Sequence, residues 1–141
     1  MVVKFTQELL GLLSVFSKVT RVMPKDCFED NQGLLTFIVP KDAVGKAVGK
    51  KAVHVKKLEH LFKKKIRIIG FADAVSDFIK NVVFPLKVRA VSALDLDEEV
   101  YVIEAADIKT RGLLIGRNAQ NLRNTEAIVQ RYFPIKELKV A

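Results

Sequence analysis

A chain of 141 residues, half of them apolar, has the length of one ordinary domain or of two small ones of about 70 residues, each with a modest core. The single cysteine, Cys27, excludes an internal disulfide framework and cannot by itself build a metal site, so a reducing, cytoplasmic location is the expectation. The formal charge is +8 and is carried in one place: residues 41–71 hold ten Lys and Arg against Asp42 and Glu59, while the rest of the chain sums to zero, which is the footprint of a polyanion partner.

The apolar stretch 9–16 is interrupted by Gly11 and Ser14 and is too short for a membrane span or a signal peptide. Within it, Leu9, Leu10, Leu12, Leu13 and Phe16 recur at three- and four-residue spacings and predict an opening helix over residues 6–16, with Thr6 as its N-cap. The β-branched run 19–23 predicts a short strand stopped by Pro24, and residues 25–33, with Asp26, Glu29, Asp30, Asn31 and Gly33, read as a turn or loop. Residues 34–39 form a continuous apolar run expected to be a strand buried on both faces and stopped by Pro40. A short helix over 42–48 and a longer one over 52–63 follow, the second turning Val55, Leu58 and Phe62 inward, before a strand at 66–69 and Gly70.

The second half opens with a helix over 72–83, marked by Val75, Phe78, Ile79 and Val82 and ended by Pro85. Then come a strand at 86–91, an acidic turn at 94–99, a strand at 100–105 and a short helix at 107–115. A longer helix at 119–132 has Leu122, Thr125, Val129 and Phe133 on one face, and 135–140 is the last strand. The order helix, strand, strand, helix, helix, strand thus occurs twice, in domains 1–71 and 72–141. No Gly/Ser linker divides them, so a rigidly coupled pair is expected.

The duplication is clearest at Val48-Gly49-Lys50-Lys51-Ala52-Val53-His54-Val55-Lys56, which recurs 67 residues later as Ile115-Gly116-Arg117-Asn118-Ala119-Gln120-Asn121-Leu122-Arg123. A glycine that lets the backbone approach a ligand, followed by the free N–H groups of a helix's first turn and by cations, is how a phosphate-gripping loop is written. The copies differ in charge. Lys50, Lys51, Lys56 and Lys57 surround the first loop, whereas Asn118 and Asn124 replace two of these lysines in the second, beside Arg117 and Arg123. The first loop is expected to supply more charge, and the second more hydrogen bonding through Asn118, Asn121 and Asn124.

Element order and glycine loops together resemble the KH domain in its second, prokaryotic-type (type II) arrangement. The pair of copies is similar to the archaeal NusA-like transcription factors over essentially the whole chain. That resemblance implies an α+β fold of two tandem type II KH domains, each with a three-stranded sheet, without the polymerase-binding amino-terminal and oligonucleotide-fold domains of bacterial NusA. It implies binding of single-stranded RNA in transcription elongation or termination, no enzymatic activity and no cofactor, with RNA polymerase as a candidate second partner. A KH loop clamps about four backbone nucleotides. Carried over by position, the RNA-binding residues are Gly49, Lys50, Lys51, Ala52, Lys56 and Lys57 in the first copy. In the second they are Gly116, Arg117, Asn118, Ala119 and Arg123. Apolar grooves for the bases are expected at Val48, Val55 and Ile68, and at Ile115, Leu122 and Leu138. Both loops depart from the Gly-X-X-Gly pattern, since alanine stands in the last place. Alanine resists positive φ, yet it suits the first turn of the following helix.

Other patterns carry less. Residues 45–51 lack the glycine spacing and the Ser/Thr of a nucleotide-binding P-loop. His54 and His60 are spaced off a common helical face, without further ligands for a metal, and read as exposed helix residues. Asp95, Asp97, Glu98 and Glu99 read as a solvated turn, and the Phe and Tyr residues as core rather than base-stacking platforms. Lys63, Lys64 and Lys65 suit the negative end of a helix dipole, with a nonspecific RNA phosphate contact by one of them as the alternative. Two other functions remain open, a ribosome-associated or RNA-processing KH protein and a polymerase-contacting structural module with weakened RNA binding. Oligomeric state is unassigned.

Overall fold

In the computed structural model, which describes residues 7–95, 97 and 99–141, the expected opening helix is α1, Gln7–Thr20. It runs one turn beyond the expected end. Thr20 is fully buried and its hydroxyl donates to the Phe16 carbonyl (2.8 Å) and accepts from the Val22 amide (3.1 Å). Arg21 then takes a left-handed conformation (φ 62°), so the strand expected at 19–23 does not form. Thr6, Leu96 and Glu98, assigned above to a cap and to the acidic turn, lie outside the described residues.

The first strand is instead β1, Asp26–Glu29, inside the segment expected to be a loop. Its composition does not favour a strand, and it forms because it pairs antiparallel with β2, Leu35–Val39, from Asp26↔Ile38 to Glu29↔Leu35. The expected turn contracts to the residues that follow. The Asp30 carboxylate accepts from the Gln32 and Leu34 amides (2.9 Å each), and Gly33 takes φ 84°. β2 is buried at all five positions, as its apolar run predicts.

After β2 come α2 (Val44–Val48), α3 (Val53–Phe62) and β3 (Ile66–Gly70), which pairs parallel with β2. Parallel neighbours require a long crossover, and the two helices supply it. Leu13 and Phe16 of α1, Phe37 of β2, Ala47 of α2 and Leu58 of α3 meet in one core, where the Phe16 and Phe37 rings stack at 4.2 Å. Val55 and Phe62 pack against it, as their spacing predicts.

The order repeats as α4 (Val75–Val83), β4 (Val88–Asp95), β5 (Val100–Ala105), α5 (Ile108–Ile115), α6 (Gln120–Gln130) and β6 (Glu137–Val140). Here β4 pairs antiparallel with β5, and β6 parallel with β5. The molecule is therefore α+β with a three-stranded sheet in each half, and it divides into two compact units, Met1–Phe71 and Ala72–Ala141. In the second unit α4 packs on α6 and β4, and the fully buried Phe78 meets the Tyr132 ring edge-on at 5.5 Å. β4 extends four residues past its expected end, because its pairing with β5 continues to Asp95↔Val100. Among the described residues, no helix is long and apolar enough to cross a membrane.

One carboxylate secures the last strand in each unit. Glu59 on α3 accepts from the Ile66 amide (3.2 Å), and Glu126 on α6 from the Leu138 amide (2.9 Å). Glu126→Ala, which strands the buried strand's amide, is expected to lower the unfolding free energy by about 1–3 kcal/mol. Glu126→Gln, whose carbonyl still accepts, is expected to lose less. Urea denaturation of the three proteins checks the order.

Candidate functional site

Within each unit the crossover turns at its glycine. α2 ends at Gly49 (φ 81°, ψ 165°) and α5 at Gly116 (φ 72°, ψ 177°). Each glycine amide closes the last α-helical bond, to Gly45 O (3.0 Å) and Gly112 O (2.8 Å). A 3₁₀ turn follows in each copy, Lys50–Ala52 and Arg117–Ala119, and its last two residues are left-handed. Lys51 (φ 56°) corresponds to Asn118 (φ 55°), and Ala52 to Ala119, both at φ 59°. The two loops thus trace one backbone path with different side chains.

Both alanines sit outside the following helix, as left-handed N-caps of α3 and α6. That corrects one of the two readings above: alanine is not in the first helical turn, where its propensity would help. It holds a conformation that its Cβ disfavours by roughly 1–2 kcal/mol. Lys51 carries the same penalty, whereas Asn118 belongs to the residue type that tolerates it best.

The glycines also make room within the chain. A Cβ at Gly49 would stand 2.9 Å from Cγ and Nδ1 of His54, and one at Gly116 would stand 2.5 Å from Cγ of Asn121. Each glycine thus permits a close approach by one of the chain's own side chains. His54 Nδ1 lies 2.9 Å from the Lys46 carbonyl, and Asn121 Nδ2 donates to the Leu113 carbonyl at 2.8 Å. His54 is accordingly half-buried and engaged rather than an exposed bystander, while His60 is exposed as expected. Sequence reasoning missed this pair of contacts. The signal was present as a hydrogen-bonding side chain five residues after each glycine.

Lys50, Lys51, Lys56 and Lys57 are all exposed, as are Arg117, Asn118 and Arg123, while Gly49, Ala52, Gly116 and Ala119 are half-buried. Each set is brought together at the start of its own helix. Arg123 is held by an ion pair to Glu126 (2.9 Å), so its charge is partly offset. Asn124 is 3% exposed and belongs to the interior, which removes it from the hydrogen-bonding set of the second loop. The second groove is corrected in the same way, because Leu138 is fully buried and Leu122 nearly so; Val48, Val55, Ile68 and Ile115 are half-buried.

The basic stretch is less free than its count implies. Lys64 pairs with Glu29 at 3.0 Å, and Arg67 lies 3.9 Å from the fully buried Asp30 carboxylate. Burial pushes the Arg67 guanidinium below its ordinary value, and Asp30 opposes the shift. Beside the second loop two exposed apolar side chains accompany the exposed cations Lys109 and Arg111 of α5. Ile108, 90% exposed, and Leu113 stand where the first copy has Lys41 and Lys46. Among the described residues no group of three His, Cys, Asp or Glu gathers to hold a metal.

No family model matches the chain. A protein of Methanocaldococcus jannaschii named probable transcription termination protein NusA is 30% identical over 138 residues, which span 98% of this chain and 75% of the relative. The chain belongs to this archaeal NusA-like family. Two further NusA-like relatives bear the same name. That of Methanococcus vannielii is 27% identical over 98% of this chain and 79% of its own, and that of Halococcus morrhuae 24% identical over 99% of both. A solved structure titled "Crystal structure of APE1850" superposes with a TM-score of 0.79, covering 97% of this chain and all of its own at 22% identity, which shows the fold. The NusA-like likeness therefore takes in both glycine loops.

Two outcomes are expected of this NusA-like chain. Ala52→Gly and Ala119→Gly relieve the left-handed strain at the expense of some chain entropy, and each is expected to raise the unfolding free energy by about 0.5–1 kcal/mol in a urea titration. Asp107 caps α5 by accepting from the Thr110 amide (2.7 Å). That bond, then one from the Thr110 hydroxyl, holds its carboxyl below the usual carboxylate range, with Lys109 assisting and desolvation opposing. A depressed folded-state value stabilises above the unfolded value of about 4 and is lost as pH falls through the folded one. The stability gap between wild type and Asp107→Ala should therefore be full near neutrality and narrow below about pH 4, as urea midpoints across pH will report.

Proposed function

We propose that this chain is a single-stranded RNA-binding factor of transcription elongation or termination, built of two type II KH domains, residues 1–71 and 72–141, and without catalysis of its own. The observation that carries the reading is the identical left-handed path of the two loops, with exposed cations at each apex. Successive backbone N–H groups in such a turn form a concavity suited to an anion. Gly49, Lys50, Lys51 and Ala52 receive one phosphate, with Lys56 and Lys57 adding charge along α3. Gly116, Arg117, Asn118 and Ala119 receive another, with Arg123 nearby. Bases lie over the half-buried apolar residues beside each loop, Val48 and Val55 in the first and Ile115 in the second.

The mixed sheet, with its antiparallel hairpin and parallel third strand joined through two helices and a glycine loop, supports the type II assignment. The transcription-termination name of the relatives supports RNA polymerase as a second partner and a cytoplasmic setting. The two loops share the work unequally: the first is an electrostatic grip, the second a weaker one with more polar contact.

Fluorescence anisotropy of a short single-stranded RNA across a salt series tests the clamp. Each phosphate contact contributes about 0.7 to the log–log salt slope on a single strand. The double variant Lys50→Gln/Lys51→Gln, which removes both cations from the first loop's phosphate, and Arg117→Gln, which removes the cation from the second's, are therefore each expected to reduce the slope by about 0.7. Slopes that stay at the wild-type value in both variants would sink the reading.

A further inference from the structure

The side chain five residues after each glycine holds the loop in shape. In a helix continued past Gly49, the Lys46 carbonyl would receive the Lys50 amide, and past Gly116 the Leu113 carbonyl would receive the Arg117 amide. The glycine turns the chain away, so the carbonyl is one of the acceptors a helix C-terminus leaves open. In the first unit His54 takes it with Nδ1 at 2.9 Å, and in the second Asn121 takes it with Nδ2 at 2.8 Å. A carbonyl oxygen only accepts, so His54 donates from Nδ1, which carries a proton in one neutral tautomer and in the imidazolium alike.

Three features make this a device rather than a chance contact. It occurs twice, at equivalent places, with chemically different donors. Each donor lies against the bare Cα of the glycine, in the space a Cβ would fill. Each bond also ties the first turn of the outgoing helix to the last turn of the incoming one, closing a bracket around the left-handed residues, Lys51 and Ala52 or Asn118 and Ala119. Without the bracket, the two strained residues of the first loop have a ready route to relax, by letting the Lys50 amide return to the Lys46 carbonyl.

We propose that His54 and Asn121 are positioning residues that lock the two loops in the anion-receiving conformation, and that an imidazole and a carboxamide are interchangeable there. The proposal deepens the RNA-clamp reading and rests on it for its consequence, though not for its geometry. Donation to the carbonyl is the requirement. Charge is not, because Asn121 has none.

The test uses the full chain with His54→Ala, Asn121→Ala and the exchanged variants His54→Asn and Asn121→His. Two readouts are taken: the strong intraresidue amide–Hα NOE that marks left-handed residues 51, 52, 118 and 119, and the affinity for a short single-stranded RNA. Each alanine variant is expected to lose the NOE pattern in its own loop and about tenfold in affinity, the scale of one hydrogen bond. Each exchanged variant should retain the pattern and stay within about twofold of wild type, on the same scale. Alanine variants that keep their left-handed NOEs, or exchanged variants that lose as much as alanine, overturn the proposal. Should wild type bind no RNA, the clamp reading falls, and the NOE patterns alone then decide the positioning role.

Discussion

The parallel pairing of the last strand with the middle one governs the architecture of each unit. β3 must run in the same direction as β2, and β6 as β5, so the chain has to travel back along the sheet before each final strand. Two short helices make the return, and the bend between them is the glycine loop. Glu59 and Glu126, one on each outgoing helix, then seize an amide of the arriving strand. The loop is thus a consequence of sheet topology before it is anything chemical.

Because the backbone solution is forced, the side chains have been free to diverge. The first loop surrounds its bend with lysines, and the second with asparagine, an ion-paired arginine and the exposed apolar residues of α5. The φ values of the two loops nevertheless agree to within a degree at both left-handed positions. Conformation here is set by the glycine, by the bracket across the two helices and by the sheet. The exposed side chains of the two loops differ between the copies.

The alanine in place of the loop's last glycine shows how tertiary context overrides local preference. Ala52 and Ala119 would choose a right-handed helical conformation and are held left-handed instead. The strain is small beside the packing of Phe37 and Leu58, or of Phe78 and Leu138, in the cores that hold the surrounding elements. It remains a local reservoir of strain in each of the two glycine loops.

By itself the sequence determined the duplication, the α+β class, the element order and the placing of both loops. These rest on periodicity and on the chemistry of Gly, Pro and β-branched residues, which act within a few neighbours. It also marked the basic stretch, though not that Arg67 is turned to buried Asp30 or that Arg123 is tied to Glu126. Only the tertiary structure made a strand of Asp26–Glu29, whose composition favours a turn and whose partner is across the sheet, and a helix of the residues up to Thr20. Only it sent Asn124, Leu122 and Leu138 into the interior, and showed that Gly49 and Gly116 make room for His54 and Asn121. The division follows the range of the forces. Propensity and pattern are legible one segment at a time, whereas pairing, burial and the partner of a single hydrogen bond are decided by residues that only the fold brings together.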